Sequence, residues 1–246
     1  MREGEPKEKS LDKMEVLKEK GLVYFDIGLT SEEKSSRQEI KIENEPEDFS
    51  YYGPVNDELI KKLTDYFGKL GANSQEIVDS ISGLVSRLAK DTQKELNADS
   101  AWVNIRTSLP NNEYDIPRWH KDAGFFKDDE KAYKLVFNIK GAPTRFAQAV
   151  DPEGYDLLEQ EDAINNSIYP DESSEEFKKE NIRIRKGLMA TVKEAEPPNN
   201  EQAVIYCVNN REDSKIHSEP KINEPRIFMQ VLFGSEKQIS EWEIKN

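Results

Sequence analysis

The sequence predicts a mainly β protein with α additions: a sandwich or jelly roll of short antiparallel strands, backed by N-terminal helices. Three observations carry this expectation. From Ala101 onward apolar residues recur with period two in short runs, the spacing at which alternate side chains fall on one face of a strand. Glycine, proline and asparagine separate those runs, as in sheets built from hairpins and short loops. Ahead of them lie two stretches with apolar residues three to four apart, the pattern of helices that cover a sheet with one face.

In chain order, residues 1–20 are rich in Lys and Glu and read as a frayed helix or tail, with no structure assigned to the first ten. Leu22–Ile27 follows Gly21 as a short strand. The segment to Glu47 is polar, with Ile40 and Ile42 alternating in strand fashion. Leu59, Ile60, Leu63, Tyr66, Phe67 and Leu70 mark a helix that begins at Asn56 and stops at Gly71. Asn73 or Ser74 caps a second helix, striped by Ile77, Ile81, Leu84, Val85 and Leu88. Trp102, Asn104, Arg106 and Ser108 then share one face of a strand, and Val103, Ile105 and Thr107 the other. Tyr133–Ile139 is the strongest strand, and Thr144–Val150, beyond Gly141 and Pro143, reads as its hairpin partner. Residues 151–200 are acidic, Asn-rich and broken by Pro152, Pro170, Pro197 and Pro198. They read as a long insertion, a lid or a disordered loop, within which Ile182–Arg185 alternates like a strand. Strands resume at Gln202–Val208, around Ile216–His217 and at Arg226–Phe233. The expected organisation is a helical layer over 1–99 and a β core over 100–246, interrupted by the insertion at about 151–200.

Charge narrows the function. Asp and Glu number 49 against 35 Lys and Arg, a net charge of −14. Such a surface repels phosphate backbones, so nucleic acid and anionic membranes are poor partners. No apolar run approaches the roughly 18 residues that span a bilayer, and Met1–Ser10 is not followed by the apolar core of a secretory signal. The single cysteine, Cys207, excludes an internal disulfide framework and fits a reducing compartment, so a cytoplasmic location is expected. Cys207 lies in the apolar run Ala203–Val208 and reads as a buried thiol.

The chemistry centres on Arg118-Trp119-His120-Lys121-Asp122. In an extended chain His120 and Asp122 point to one face, with Trp119 and Lys121 on the other. His217 is the only other histidine, and Arg226 follows it by nine positions. Two imidazoles and a carboxylate suit Fe(II) while leaving coordination positions open, and the same donors also bind Zn(II). Two ordinary histidines are the bland alternative. Trp102, Trp119 and Trp242 read as packing residues, whereas Phe125 and Phe126, just after His120-x-Asp122, read equally as packing residues or as the wall of a pocket. The acid clusters Glu159-Gln160-Glu161-Asp162 and Asp171-Glu172 with Glu175-Glu176 read as solvated loop, with attraction of a cationic substrate as the minor reading.

On His120-x-Asp122, His217 and Arg226, the chain resembles the Fe(II)/2-oxoglutarate-dependent dioxygenase superfamily over about residues 100–234. The resemblance implies a double-stranded β-helix (a jelly-roll, cupin-like barrel) with His120, Asp122 and His217 as metal ligands and catalytic centre. It implies Arg226 as the partner of the far carboxylate of 2-oxoglutarate, with Fe(II), 2-oxoglutarate and O2 as cofactor and co-substrates. A guanidinium presents a planar fork at fixed charge, which suits that carboxylate. Asn104, Lys134, Asn138 and Thr144 are weaker candidates for polar contacts to the co-substrate. Many members carry Ser or Thr two residues after the arginine, where this chain has Phe228. The implied activity is hydroxylation of a protein side chain or a small molecule. Alternatives are a non-catalytic barrel acting as a binding or regulatory protein, and a cupin-type metal enzyme that does not use 2-oxoglutarate. Substrate and oligomeric state are not legible.

Overall fold

A computed structural model describes residues 13–126, 131–164, 174–209 and 212–245. In chain order the elements are α1 (Lys13–Lys20), β1 (Leu22–Asp26), α2 (Ser31–Glu39), β2 (Phe49–Gly53), α3 (Asp57–Phe67), α4 (Gln75–Glu95), β3 (Ser100–Ser108), β4 (His120–Lys121) and β5 (Ala132–Lys140). They continue with β6 (Arg145–Val150), α5 (Pro152–Ala163), α6 (Glu175–Thr191), β7 (Val192–Glu194), β8 (Gln202–Val208), β9 (Ile216–Ser218), β10 (Arg226–Gly234) and α7 (Glu236–Lys245). The strands form two antiparallel sheets, a six-stranded one in the order β1-β8-β5-β10-β3-β2 and a four-stranded one in the order β4-β9-β6-β7.

Period-two alternation splits the large sheet into two environments. Val103, Ile105, Leu135, Phe137, Ile205, Met229 and Val231 belong to one buried cluster with Leu59, Leu63, Ile81, Leu84, Val85 and Leu88 of α3 and α4. Thus the helices back one face of the sheet. The opposite face carries Trp102, Val136, Val204, Tyr206, Phe228 and Leu232, which cluster with Phe146 of β6 in the small sheet. Phe146 packs edge-on against Tyr206 with ring centroids 5.2 Å apart, so the two sheets face each other across this second interior.

Several elements depart from sequence expectation. Thr144–Val150 is not the hairpin partner of β5: β5 pairs with β10 and β8, while β6 pairs with β9 and β7 in the other sheet. The connection between them turns at Gly141, whose φ of +82° a side chain rarely adopts and whose added Cβ would lie 3.0 Å from the Arg226 backbone. Ile182–Arg185 is helical, not extended, because Phe177, Ile184 and Leu188 lie on one face of α6 and pack with Trp119 and with Leu158 of α5. The stretch read as an insertion thus contributes two helices and β7, the residues 165–173 lying outside those described. Ile40 and Ile42 form no strand; α2 ends there, and Ile40 is buried beneath it. Helix α3 stops at Phe67, short of Gly71, and Ser74 rather than Asn73 caps α4. The Asn73 side chain instead bonds the Lys41 backbone at both its oxygen and its nitrogen. No described helix is long and apolar enough to cross a membrane.

Candidate active site

Strands β4 and β9 are neighbours, and their register sets His120 directly opposite His217. Side chains opposite one another across antiparallel strands share a face; here the two rings sit with centroids 4.3 Å apart. Asp122 follows at the end of β4 and brings its carboxylate to both, Oδ1 lying 3.7 Å from His120 Nε2 and Oδ2 3.4 Å from His217 Nε2. One ligand atom from each of the three residues falls within 4.8 Å of the others. The turn beyond Asp122 is pinned, since its backbone oxygen accepts from the Asn209 N–H and the Ser214 hydroxyl, both at 3.0 Å.

The imidazoles are set up as ligands. His120 Nδ1 lies 2.9 Å from the Arg118 carbonyl, and His217 Nδ1 lies 3.1 Å from the Lys215 carbonyl. Each carbonyl accepts, so Nδ1 carries the proton and Nε2 keeps its lone pair for the site, the usual arrangement behind a metal-bound histidine. Burial holds the His217 pKa down to about 4 against the pull of Asp122, which keeps the ring neutral near pH 7. Burial works to raise the Asp122 pKa, but electrostatic attraction led by the Lys134 ammonium, which also hydrogen-bonds the carboxylate, outweighs it and holds the carboxyl well below the usual carboxylate range. Neutral nitrogens and an ionised oxygen converging on one point fit a divalent metal ion.

A second layer fixes the carboxylate. Lys134 Nζ donates to Asp122 Oδ2 at 2.6 Å and the Tyr206 hydroxyl donates to the same oxygen at 3.0 Å. Lys134 and Tyr206 stand opposite each other on β5 and β8, which is why both reach one atom. Their bonds occupy Oδ2 and leave Oδ1 turned toward His120. Burial lowers the Lys134 pKa, opposed by Asp122, and burial with the adjacent Asp122 charge raises that of Tyr206 well above its ordinary value.

No protein-family model and no curated protein matches this chain. Solved structures similar to it include the Kdo hydroxylase KdoO, described as a non-heme Fe(II) α-ketoglutarate-dependent dioxygenase, at 13% identity and TM-score 0.46 over 95% of this chain and 90% of that one. A Pseudomonas putida prolyl-4-hydroxylase is similar at 12% identity and TM-score 0.38, covering 91% and 90% of the two chains. HygX from Streptomyces hygroscopicus, solved with nickel and 2-oxoglutarate, is similar at 12% identity and TM-score 0.40, covering 92% and 87%. What those proteins bind is a property of theirs. What this chain can hold is set by its own donor atoms.

These donors line a cavity of about 400 Å³ that also receives Arg226, Thr144, Phe228, Gln230 and Glu219. Arg226, only 4% exposed, donates from Nε to the Ala142 carbonyl at 3.0 Å and from Nη2 to Asn138 Oδ1 at 3.2 Å and Thr144 Oγ1 at 3.4 Å. Its guanidinium stacks 4.5 Å above the Phe228 ring, and burial lowers its pKa to about 10. No bond within the described residues uses Nη1, so its two N–H groups remain for a ligand.

The other residues singled out from sequence fall in different places. Asn138 orients Arg226 and bonds the Ala142 carbonyl at 2.7 Å. Asn104 lies deeper, donating to the Phe49 carbonyl at 2.9 Å and accepting from Gln230 at 2.7 Å, and it does not line the cavity. Lys134 lines the cavity but is bound to Asp122. Phe125 walls the site, whereas Phe126 is core. Trp119 packs away from the histidines, as strand parity expects, yet Lys121 reaches the cavity rim. Trp102 and Trp242, expected to be packing residues, line the cavity as well as packing together at 5.7 Å. Sequence reasoning missed Tyr206, Glu219 and Arg118 as parts of the site. Tyr206 sits in an apolar run that reads as plain core, and Glu219 carries no signal beyond lying two positions after His217.

Proposed function

We propose that this chain is an Fe(II)- and 2-oxoglutarate-dependent dioxygenase that hydroxylates an organic substrate, a protein side chain or a small molecule. The observation that carries the reading is the union of His120, Asp122 and His217 with a buried, half-committed arginine in one cavity. Three protein donors would leave Fe(II) with positions open to co-substrates, and Arg226 suits the far carboxylate of 2-oxoglutarate. The strand order supports a double-stranded β-helix, with residues 100–246 as catalytic core and 1–99 as the layer that braces it. We place the protein in the cytoplasm, in keeping with its single cysteine.

The residues divide the work as follows. His120, Asp122 and His217 would hold Fe(II), and that centre supplies the oxidative chemistry in which 2-oxoglutarate and O2 yield succinate, CO2 and a hydroxyl group on the substrate. Lys134 and Tyr206 hold Asp122 so that Oδ1 is the oxygen offered. Asn138 and Thr144 keep Arg226 aimed into the cavity. Asn104 supports through Gln230, which lines the same wall. Trp102, Phe125, Phe228 and Trp242 exclude water from the reacting atoms. The test is succinate formation by the purified chain given Fe(II), 2-oxoglutarate and air, compared with a His120→Ala/Asp122→Ala variant. Equal succinate from both proteins would sink the proposal, and metal-dependent activity indifferent to 2-oxoglutarate would favour a cupin-type enzyme.

A further inference from the structure

The guanidinium of Arg226 is aimed by the turn that follows β5. Asn138 Oδ1 and the Ala142 carbonyl hold its Nη2 and Nε, and Asn138 Nδ2 closes the turn by donating to the same Ala142 carbonyl at 2.7 Å. That turn begins at an irregularity. Phe228 pairs with Asn138 and Ile227 with Lys140, so Ile139 is one residue more than the β10 ladder uses, a β-bulge. On the other side β8 last pairs at Val136, opposite Val204, and no described strand accompanies β5 beyond it. The backbone that sets the Arg226 cradle therefore needs partners from outside the sheet.

Helix α2 supplies them. Arg37, in its last turn, donates from Nε to the Ile139 carbonyl at 2.9 Å and from Nη2 to the Asn138 carbonyl at 3.0 Å. Its guanidinium also lies 4.8 Å from the Phe137 ring centroid. One side chain thus grips three consecutive residues of β5 across the bulge. Lys140 returns the hold, donating from Nζ to the Gln38 carbonyl at 3.0 Å and the Ile40 carbonyl at 2.8 Å, where a cation also meets the negative end of the helix dipole. Asn138 is held at both ends, its carbonyl by Arg37 and its side chain by Arg226. A second arginine anchors α2 elsewhere: Arg87 of α4 donates from Nη1 to the Ile27 carbonyl at 3.0 Å and from Nη2 to both Glu33 oxygens at 2.8 and 2.9 Å. Those bonds reach neither β5 nor its turn.

We propose that Arg37 is a positioning residue for Arg226: by fixing the bulge at Ile139 from outside the sheet, it sets the direction in which Asn138 and the Ala142 carbonyl present the Arg226 guanidinium to an anionic ligand. Helix α2 then does more than cover the sheet, because it makes the N-terminal layer part of the co-substrate site. The inference rests on the dioxygenase reading for the identity of that anion, 2-oxoglutarate, but not for the orientation of Arg226.

The full chain, loaded with Mn(II), is titrated with 2-oxoglutarate. In parallel, and without any ligand, Arg226 is followed through its side-chain Nε–H signal in nitrogen–proton NMR, assigned by its loss in Arg226→Lys. Arg37→Met should weaken 2-oxoglutarate about tenfold, as the loss of supporting hydrogen bonds around a site does. It should speed solvent exchange of the Arg226 Nε–H by about tenfold, while Mn(II) affinity, set on β4 and β9, stays within about twofold. Lys140→Met should move affinity and exchange in the same direction, by about threefold. Arg87→Met should lower the unfolding midpoint and leave both quantities unchanged, which a merely structural role for α2 would not allow. Exchange unchanged in a folded Arg37→Met overturns the proposal, and so does an Arg87→Met affected as much as Arg37→Met. If Arg37→Met does not fold, Lys140→Met decides, and an Arg226 signal there identical to wild type overturns the proposal. Faster exchange with unchanged 2-oxoglutarate affinity upholds the positioning and takes Arg226 out of the co-substrate site. A wild type that binds no 2-oxoglutarate sinks the dioxygenase reading, and the Arg226 signal still decides whether Arg37 positions it.

Discussion

Replacing Lys134 by methionine tests whether the Asp122 carboxylate depends on its buried partner. The ion pair is 2.6 Å long, and the two side chains are 4% and 15% exposed. Lys134 Nζ also lies 4.5 Å from the Phe125 ring centroid. Methionine keeps most of the stem's packing but strands an ionised carboxylate inside the protein. Removing one member of a buried pair costs about 3–5 kcal/mol, and the remaining Tyr206 bond argues for the lower half of that range. Urea unfolding of the metal-stripped protein at pH 7 should therefore show a loss of about 3 kcal/mol. Asp122→Asn should cost a similar amount, because it leaves the Lys134 ammonium unpaired. The double variant should be more stable than either single one, since it buries no isolated charge. Mn(II) should stabilise Lys134→Met more than wild type, because the dication takes over as the partner of Asp122. A loss below about 1 kcal/mol for Lys134→Met, or strictly additive costs in the double variant, would refute the reasoning.

Three further outcomes are expected. Arg226→Met should raise the KM for 2-oxoglutarate by about 10–150-fold, the equivalent of one charge-assisted hydrogen bond, with Arg226→Lys intermediate; an unchanged KM in a folded variant assigns the co-substrate elsewhere. Acid should destabilise the metal-free protein through His217. Its folded pKa of about 4 lies below the ordinary 6.5, so between those values the unfolded chain binds the extra proton, and stability falls as pH drops from above 6.5 toward 4. The loss is about 3 kcal/mol for the full shift, and denaturant midpoints at pH 7.5 and 5 should converge in His217→Gln. Trp119→Ala should cost about 3–5 kcal/mol, because Trp119 is 2% exposed and joins β4 to α5 and α6; a melting temperature equal to wild type would show that this seam carries no stability.

Much of the large sheet is legible in the sequence because alternation is a property of single strands. Val103 and Ile105 against Trp102 and Asn104 announce two faces before any partner is known, and the two faces do meet different layers. Partner choice is another matter. Thr144–Val150 follows β5 closely and looks like its hairpin mate, but nothing in its own pattern says which sheet it joins. Helix α2 has no apolar stripe at all, so periodicity cannot find it. Its signal is Thr30-x-x-Glu33, a capping box in which Thr30 Oγ1 accepts from the Glu33 N–H at 3.1 Å and Glu33 accepts in return from the Thr30 N–H at 2.8 Å. Helix α6 misleads because its apolar seam is narrow: Phe177, Ile184 and Leu188 suffice to meet Trp119, while Ile182 is 44% exposed and fakes an alternation with Ile184.

For the site, legibility follows the same division. His120, Asp122, His217 and Arg226 can be picked out because histidine is rare here and their spacing is informative. Lys134 and Tyr206 cannot, since their joint hold on Asp122 exists only through the register of β5 against β8. Glu161 shows the limit most sharply. As part of an acidic run it reads as a solvated loop, and yet it is 5% exposed on α5 and bound to Arg118, two residues before His120. Its neighbour Asp162 lines the cavity as well. A run of charges acquires direction only when a helix turns some members inward, and here the apolar seam behind Trp119 does the turning. Loosening that seam should therefore disturb the Glu161–Arg118 contact beside His120 as well as weaken the fold. Trp119→Phe, which keeps the apolar contact, should preserve Mn(II) affinity in a titration of the metal-stripped protein; loss of that affinity in a fully folded Trp119→Phe would show that the apolar seam is not what positions His120.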